Sequence, residues 1–389
     1  MPIRFISLNL QLKRYNMKKY KLLLLSALSG LIFSASWPYW GFPFLIFFAF
    51  IPLFIILDHL KEYKHLYAKM SGMLYTYPAF VIWNTLTTWW IWNSTDVGAV
   101  FAILFNSFFM ALVFGLYHIL KLHFFRISKG YFALICLWIA WEYFHLDWDL
   151  SWSWLNLGNV FAQYPMFVQW YEITGVFGGS LWILLVNMLI YELYLSFKKV
   201  THRNYKIILS SILTVVLLFP MISSLVRYFT YTENINPIEV VVVQQNTDPW
   251  QQYDIESEVL IHNILDLARQ KIDSNTSLVV GPESAIQDYA WEDRLDEYLS
   301  IDSLKYFVDS FPHINFVLGI STLKMYKPGE TLSATARKRN NTENQFYDSY
   351  NTSMFINSKK EIKFYHKSKL VPGVEKMPFP RVLKPLEKL

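Results

Sequence analysis

Seven apolar segments fall within the first 226 residues, near 20–36, 43–58, 70–91, 99–120, 131–146, 177–197 and 207–226. A helix needs roughly 20 residues to cross the hydrocarbon core of a bilayer, and about 17 at the least. The second segment is therefore short and depends on its aromatic flanks. The pattern predicts a polytopic α-helical membrane domain of about seven spans.

Basic residues sort onto alternate connections. The stretch ahead of the first segment carries Arg4, Lys13, Arg14, Lys18, Lys19 and Lys21. Lys61, Lys64 and Lys69 follow the second segment, Lys121, Arg126 and Lys129 the fourth, and Lys198, Lys199, Arg203 and Lys206 the sixth. The intervening connections, 37–42, 92–98 and 147–176, contain no Lys or Arg. Short cytoplasmic loops retain positive charge. The chain then divides into a cytoplasmic N-terminal segment (1–19), a membrane domain (20–226) and a third region (227–389) delivered to the opposite side. Lys18-Lys19, the apolar run after it and Ser34-Ala35-Ser36 also match a cleaved signal peptide, but six further apolar segments favour an uncleaved first helix. Met17 competes with Met1 as the start.

Composition follows the same division. Residues 22–226 hold 18 charged residues in 205 positions, whereas residues 227–389 hold 41 in 163. Net charge is +8 before residue 227 and −3 after it. The mild overall basicity therefore gives no reason to expect a nucleic-acid partner. The one cysteine, Cys136, lies in an apolar run, which excludes an intrachain disulfide framework and a cysteine-based zinc site; it reads as a small buried residue. No metal or cofactor motif is present. Glu142 lies in the fifth segment, where an ionisable group is costly; it either faces a bundle interior or cavity or is satisfied by a polar neighbour. Loop 147–176 holds Trp148, Trp152, Trp154, Trp170, Tyr164 and Tyr171, an interfacial aromatic belt or a lipid-contacting wall beside a site. Charged pairs and broken-helix repeats of a transport path are lacking.

The third region alternates strand and helix. Strands are expected at 239–246, 277–284, 315–323, 350–357 and 361–370, helices at 255–271 and 293–310, and a polar loop at 324–347. Such alternation implies an α/β layered domain. Glu283 falls where the buried strand Val279-Val280-Gly281-Pro282 ends in a loop. Lys367 and Lys369 lie on an alternating segment and could face the same way. Glu375 follows in a turn, Val371-Pro372-Gly373-Val374-Glu375. Taken singly, each carboxylate could be a cap or surface group and each lysine solvent-exposed. Asn93, Asn275 and Asn351 match glycosylation acceptors by chance, and Asn351 lies in an expected strand. The basic cluster 337–339 reads as a solvated loop.

Pro282-Glu283-Ser284-Ala285 after a valine-rich strand resembles the glutamate motif of the nitrilase superfamily. Tyr365-x-Lys367-x-x-Leu370-Val371-Pro372-x-x-Glu375 resembles the lysine motif of its membrane branch, apolipoprotein N-acyltransferase. Ser153-Trp154-Leu155-Asn156-Leu157-Gly158, Gln163, Gly175-x-x-Gly178 and Val243-Gln244-Gln245-Asn246 are similar to that family as well, so the resemblance runs over essentially the whole chain. It implies an α-β-β-α sandwich, incomplete here, in the periplasm of a bacterium with its helices in the inner membrane. It further implies a ping-pong reaction. A cysteine thiolate takes an acyl chain from a phospholipid as a thioester, and the α-amino group of a diacylglyceryl-cysteine at the N-terminus of an apolipoprotein then accepts it. By this resemblance Glu283 is the general base, Lys367 stabilises oxyanion and thiolate, Glu375 is a supporting carboxylate and Tyr253 contacts lipid. No cofactor is implied.

Two departures stand out. The family more often has Gly directly before the second Glu, where this chain has Val374. The family's nucleophilic cysteine lies some tens of residues past the lysine motif and a final span follows, so the resemblance casts this chain as C-terminally truncated, without the nucleophile. The alternatives are a membrane-anchored nitrilase-like amidase, or a non-catalytic truncated paralogue that binds lipoprotein or another partner.

Overall fold

The computed structural model describes residues 17–38, 41–60, 68–125, 129–199, 201–233, 235–248, 251–252, 254–333, 335–339, 345–373, 375–376 and 378–379. The chain divides into two compact units, Met1–Thr232 and Glu233–Leu389.

The first unit is helical. Its helices are α1 (Lys19–Ser36), the short α2 (Ile46–Ala49) and α3 (Ile51–Leu60), α4 (Ala68–Thr88), α5 (Asp96–His123), α6 (Tyr131–Phe144), α7 (Tyr171–Lys198) and α8 (Arg203–Thr230). Each of the seven apolar segments is thus helical. Among the described residues four stretches are long and apolar enough to cross a membrane: Pro43–Leu60, α5, α7 and α8. At 14 residues α6 spans about 21 Å, shorter than the hydrocarbon core.

Aromatic side chains fill the centre of this unit. Phe33 stacks on Trp83 with ring centroids 4.5 Å apart, Phe50 lies parallel to Phe114 at 5.7 Å, and Trp138 meets both Phe50 and Phe80. Such pairs add to the area they bury. One turn of α7 departs from helical geometry at Gly175 (φ 65°, ψ −173°), a left-handed conformation that glycine adopts without steric cost.

Several buried polar groups of the unit meet partners, as a low-dielectric interior favours. Asn187 donates to the Ile46 carbonyl and accepts from Phe50 N–H, which ties α7 to the break between α2 and α3. Asp58 on α3 accepts from Lys121 on α5 at 2.5 Å and from the Tyr191 hydroxyl on α7 at 2.8 Å. Lys129 pairs with Glu192 at 2.9 Å, and the Tyr131 hydroxyl donates to the same carboxylate at 2.7 Å. Four helices are thereby cross-linked at one end of the bundle. Cys136 is exposed on α6; the expectation of a buried residue fails because α6 turns Leu134, Trp138 and Glu142 inward and leaves Cys136 on another face.

The second unit is built on a mixed sheet. Its elements are β1 (Glu239–Val242), α9 (Ser257–Arg269), β2 (Thr276–Val280), β3 (Ile286–Trp291), α10 (Leu299–Ser310), β4 (Asn315–Met325), β5 (Arg337–Lys338), β6 (Phe346–Asn357) and β7 (Ile362–His366). β1, β2 and β4 run parallel in that order, β6 is antiparallel to β4, and β5 and β7 pair with β6. Apolar residues of α9 (Ile261, Ile264, Leu265) and α10 (Ile301, Leu304, Phe307) are buried in one core with Val279, Phe316, Leu318, Met354 and Ile356. By alternation the opposite face carries Val240, Val242, Val280, Val317 and Phe355, and Val242 there is 74% exposed.

Two elements were not expected from sequence. β3 follows the Glu283 loop and lacks a β-branched run; pairing with β4 orders it. β5 is a two-residue strand inside the expected 324–347 loop. The helix expected from 293 begins only at Leu299, because residues before it form a turn and a short 3-10 segment, Leu295–Glu297.

Asp58→Asn removes the carboxylate charge facing Lys121, a side chain only 2% exposed. We expect a loss of about 3 kcal/mol, read as a lower thermal midpoint in detergent, with recovery in Asp58→Asn combined with Lys121→Met. An unchanged midpoint in the single variant would refute the structural role given to this pair.

Candidate active site

Glu283 is displayed by a register change. β2 and β3 pair in succession with the same strand: Val280 is opposite Val317, and Ile286 is opposite Ile320. The stretch between Val280 and Ile286 is longer than the stretch of β4 it spans, so the surplus residues loop out at Pro282-Glu283-Ser284. Gly281 N–H bonds to the Val317 carbonyl and Gly319 N–H to the Pro282 carbonyl, which pins both feet of the loop. Ser284 adopts φ 54°, in the left-handed region. The loop rests directly on β4. A Cβ on Gly319 would lie 2.4 Å from Ser284 N and 2.7 Å from Glu283 Cα, so only glycine permits this approach.

Lys367 comes from the other side. It is the residue after β7, and its N–H continues the ladder to the Asn351 carbonyl on β6 at 2.8 Å. Its ammonium lies 2.8 Å from Glu283 Oε1 and 2.9 Å from Glu375 Oε1. Glu375 is held by its turn: Oε2 accepts from Val371 N–H at 2.7 Å, and Glu375 N–H returns to the Val371 carbonyl. The structure thus brings Glu283, Lys367 and Glu375 together. Lys369 is exposed, because β7 ends at His366 and the strand alternation that would align the two lysines stops there. Tyr253 lies outside the described residues.

Asn351 escaped the sequence reading. Its amide donates to Glu283 Oε1 at 2.6 Å and to Glu375 Oε1 at 3.1 Å. The only signal was an amide side chain in the middle of a strand, which the Asn-Thr-Ser pattern disguised. With Lys367 it holds two carboxylates together that would otherwise repel.

Burial of Lys367 works against its charge, but the hydrogen bonds and charges of Glu283 and Glu375 outweigh it and raise its pKa above the usual lysine value. Burial likewise opposes ionisation of Glu375. Lys367, Val371 N–H and Asn351 more than offset this and hold its carboxyl below the usual range. At neutral pH the pair is therefore an ammonium against a carboxylate. Glu283 is 62% exposed, against 22% for Glu375, so Glu283 is the carboxylate open to an incoming group. An exposed carboxylate beside a fixed ammonium can accept a proton while the cation stabilises a developing anion. Among the described residues no three or more His, Cys, Asp or Glu are grouped to hold a metal ion.

In the first unit Glu142 is buried and grips the loop after α6: it accepts from Leu157 N–H at 2.7 Å and Trp138 Nε1 at 3.0 Å. Of the loop tryptophans, Trp148 donates to His145 inside the unit, while Trp154 is 60% exposed and packs edge-on against Trp90.

A helical unit with membrane-length apolar helices and a second unit carrying a Glu–Lys–Glu cluster on a mixed sheet define a membrane protein with a candidate hydrolase- or transferase-like site. Residues 29–189 match the Apolipoprotein N-acyltransferase N-terminal domain. The chain is 25% identical over 380 residues to Apolipoprotein N-acyltransferase of Chlorobaculum tepidum, covering 94% of this chain and 67% of that protein. It is 26% identical over 390 residues to that of Rickettsia prowazekii, covering 94% and 68%. A match of 25% to Apolipoprotein N-acyltransferase 1 of Treponema denticola covers 92% and 67%. The chain is thus similar to these apolipoprotein N-acyltransferases over nearly its whole length, and spans about two thirds of their length.

Two outcomes test this geometry. In Lys367→Met the Glu375 carboxyl loses its cation, and its pKa should rise, read by NMR of labelled glutamate. Because the native pKa is depressed, Glu375 contributes stability above the unfolded carboxylate pKa and loses it as pH falls through the folded value. That acid-side dependence should shrink in the variant; an unmoved Glu375 pKa would contradict the pairing. Gly319→Ala should destabilise the second unit by about 2 kcal/mol or more, read by urea unfolding, and wild-type stability would refute the close approach.

Proposed function

We propose that the chain belongs to an enzyme that moves an acyl chain from a phospholipid to the α-amino group of a diacylglyceryl-cysteine at the N-terminus of an apolipoprotein. The observation that carries this reading is the Lys367 ammonium held between Glu283 and Glu375, in a chain whose relatives bear the name of that activity. Glu283 serves as general base, first toward the thiol that takes the acyl group and then toward the acceptor amine. Lys367 stabilises the thiolate and donates to the oxyanion of each tetrahedral intermediate. Glu375 keeps the lysine charged and aimed, and Asn351 holds the two carboxylates in register.

A thioester route needs a cysteine at this cluster. Cys136, the one cysteine of these 389 residues, lies in α6 of the first unit and takes no part. The second unit is read as part of an α-β-β-α sandwich, with the sheet face bearing Val240 and Val242 directed to a second layer. By the distribution of basic residues, this unit lies on the periplasmic side of the bacterial inner membrane, the N-terminus being cytoplasmic. Both substrates are lipids, which accounts for joining the site to membrane helices.

Membranes from cells expressing the gene that encodes this sequence, supplied with labelled phosphatidylethanolamine and a diacylglyceryl-cysteinyl peptide, should yield the N-acylated peptide. Glu283→Gln and Lys367→Met should each lower the rate at least 100-fold, whereas Cys136→Ser should leave it unchanged. Full transfer by both site variants would overturn the assignment.

A further inference from the structure

The groove between the end of α7 and the start of α8 has a composition that the acyl-transfer reading does not use. It measures about 600 Å³ and is lined by Phe197, Arg203, Lys206, Ile207, Ser210, Ser211, Thr214 and Val215. On α8 these recur at helical spacing, so the charged, hydroxyl and apolar groups form one stripe facing Phe197. The stripe is graded: two cations in the first turn, then the three hydroxyls, with Ile207 and Val215 beside them.

Among the described residues no carboxylate neutralises the charged end. Among the described residues neither Arg203 nor Lys206 meets a carboxylate, and no Asp or Glu occurs between Glu192 and Glu233. Lys206 lies 4.7 Å from the Phe197 ring centre, which aims its ammonium across the groove. The hydroxyls of Ser210, Ser211 and Thr214 have no hydrogen-bond partner in the protein among the described residues. Outside the groove α8 presents Ile208, Ile212, Phe219 and Ile222 outward, each at least 45% exposed, as a lipid-facing helix does.

We propose that this groove is a binding site for one anionic phospholipid. Its phosphodiester sits between Arg203 and Lys206 at the amino end of α8, where the helix dipole adds to their charge. The glycerol and ester oxygens accept from Ser210 and Thr214, and an acyl chain lies along Ile207 and Val215. A zwitterionic lipid offers the same phosphate but carries an ammonium that the two cations repel, so the site selects for net negative charge. Its lining comes from the first unit, whereas the Glu283–Lys367 cluster belongs to the second.

Native mass spectrometry of the full chain released from micelles, titrated with dimyristoyl-phosphatidylglycerol or dimyristoyl-phosphatidylcholine, tests this. One phosphatidylglycerol should be retained in preference to phosphatidylcholine. Arg203→Gln with Lys206→Gln should weaken that retention about 30-fold, and each single charge loss about 5-fold. Arg203→Lys with Lys206→Arg should retain it, which separates loss of charge from loss of fold. Lys19→Gln with Lys21→Gln removes equal charge from α1 and should leave retention unchanged. Equal retention of the two lipids, or an equal loss in the α1 variant, would overturn the proposal.

Discussion

The second unit depends on a single close contact between two strands and a loop. Because β2 and β3 share β4 as a partner, the residues between them have nowhere to go but outward, over Gly319. That geometry lifts Glu283 off the sheet to where Lys367, extending the ladder from β7, can reach it. A side chain at position 319 would remove the space that the loop occupies, and with it the pairing of Glu283 with Lys367. The cluster is then consolidated by charge: one ammonium and one amide hold two carboxylates that alone would repel.

The first unit satisfies a different requirement. A bundle of apolar helices gains little from burying apolar surface in a lipid setting, so polar contacts and close packing carry the specificity. Asp58, Lys121, Lys129, Tyr131 and Glu192 tie four helices at one end, and Glu142 anchors the loop after α6 by the Leu157 amide. These charges are costly in isolation and acceptable only because each meets an opposite charge or a donor. The groove beside Arg203 and Lys206 is the contrasting case, where the cations have no such partner among the described residues.

Much of this was legible in the sequence because it rests on local patterns. The apolar segments and the β-branched strands around Val241, Val279 and Val317 announce their elements by composition and period. Glu283, Lys367 and Glu375 were found through motif resemblance, and the structure gathers them. What stayed hidden depends on pairing between distant segments. β3 has no strand signature of its own, Asn351 looked like a chance acceptor site, and Gly319 was one glycine in an apolar strand. Cys136 was misjudged because composition shows that a helix is apolar without showing which face turns inward.

The central claim concerns the acyl state of lipoproteins. It is tested most directly by the mass of the N-terminal lipopeptide of a lipoprotein, measured in cells before and after depletion of the gene encoding this sequence. The account predicts that the form with an N-linked acyl chain gives way to one with a free α-amino group, lighter by one acyl chain. An unchanged, fully N-acylated lipopeptide after depletion would contradict it.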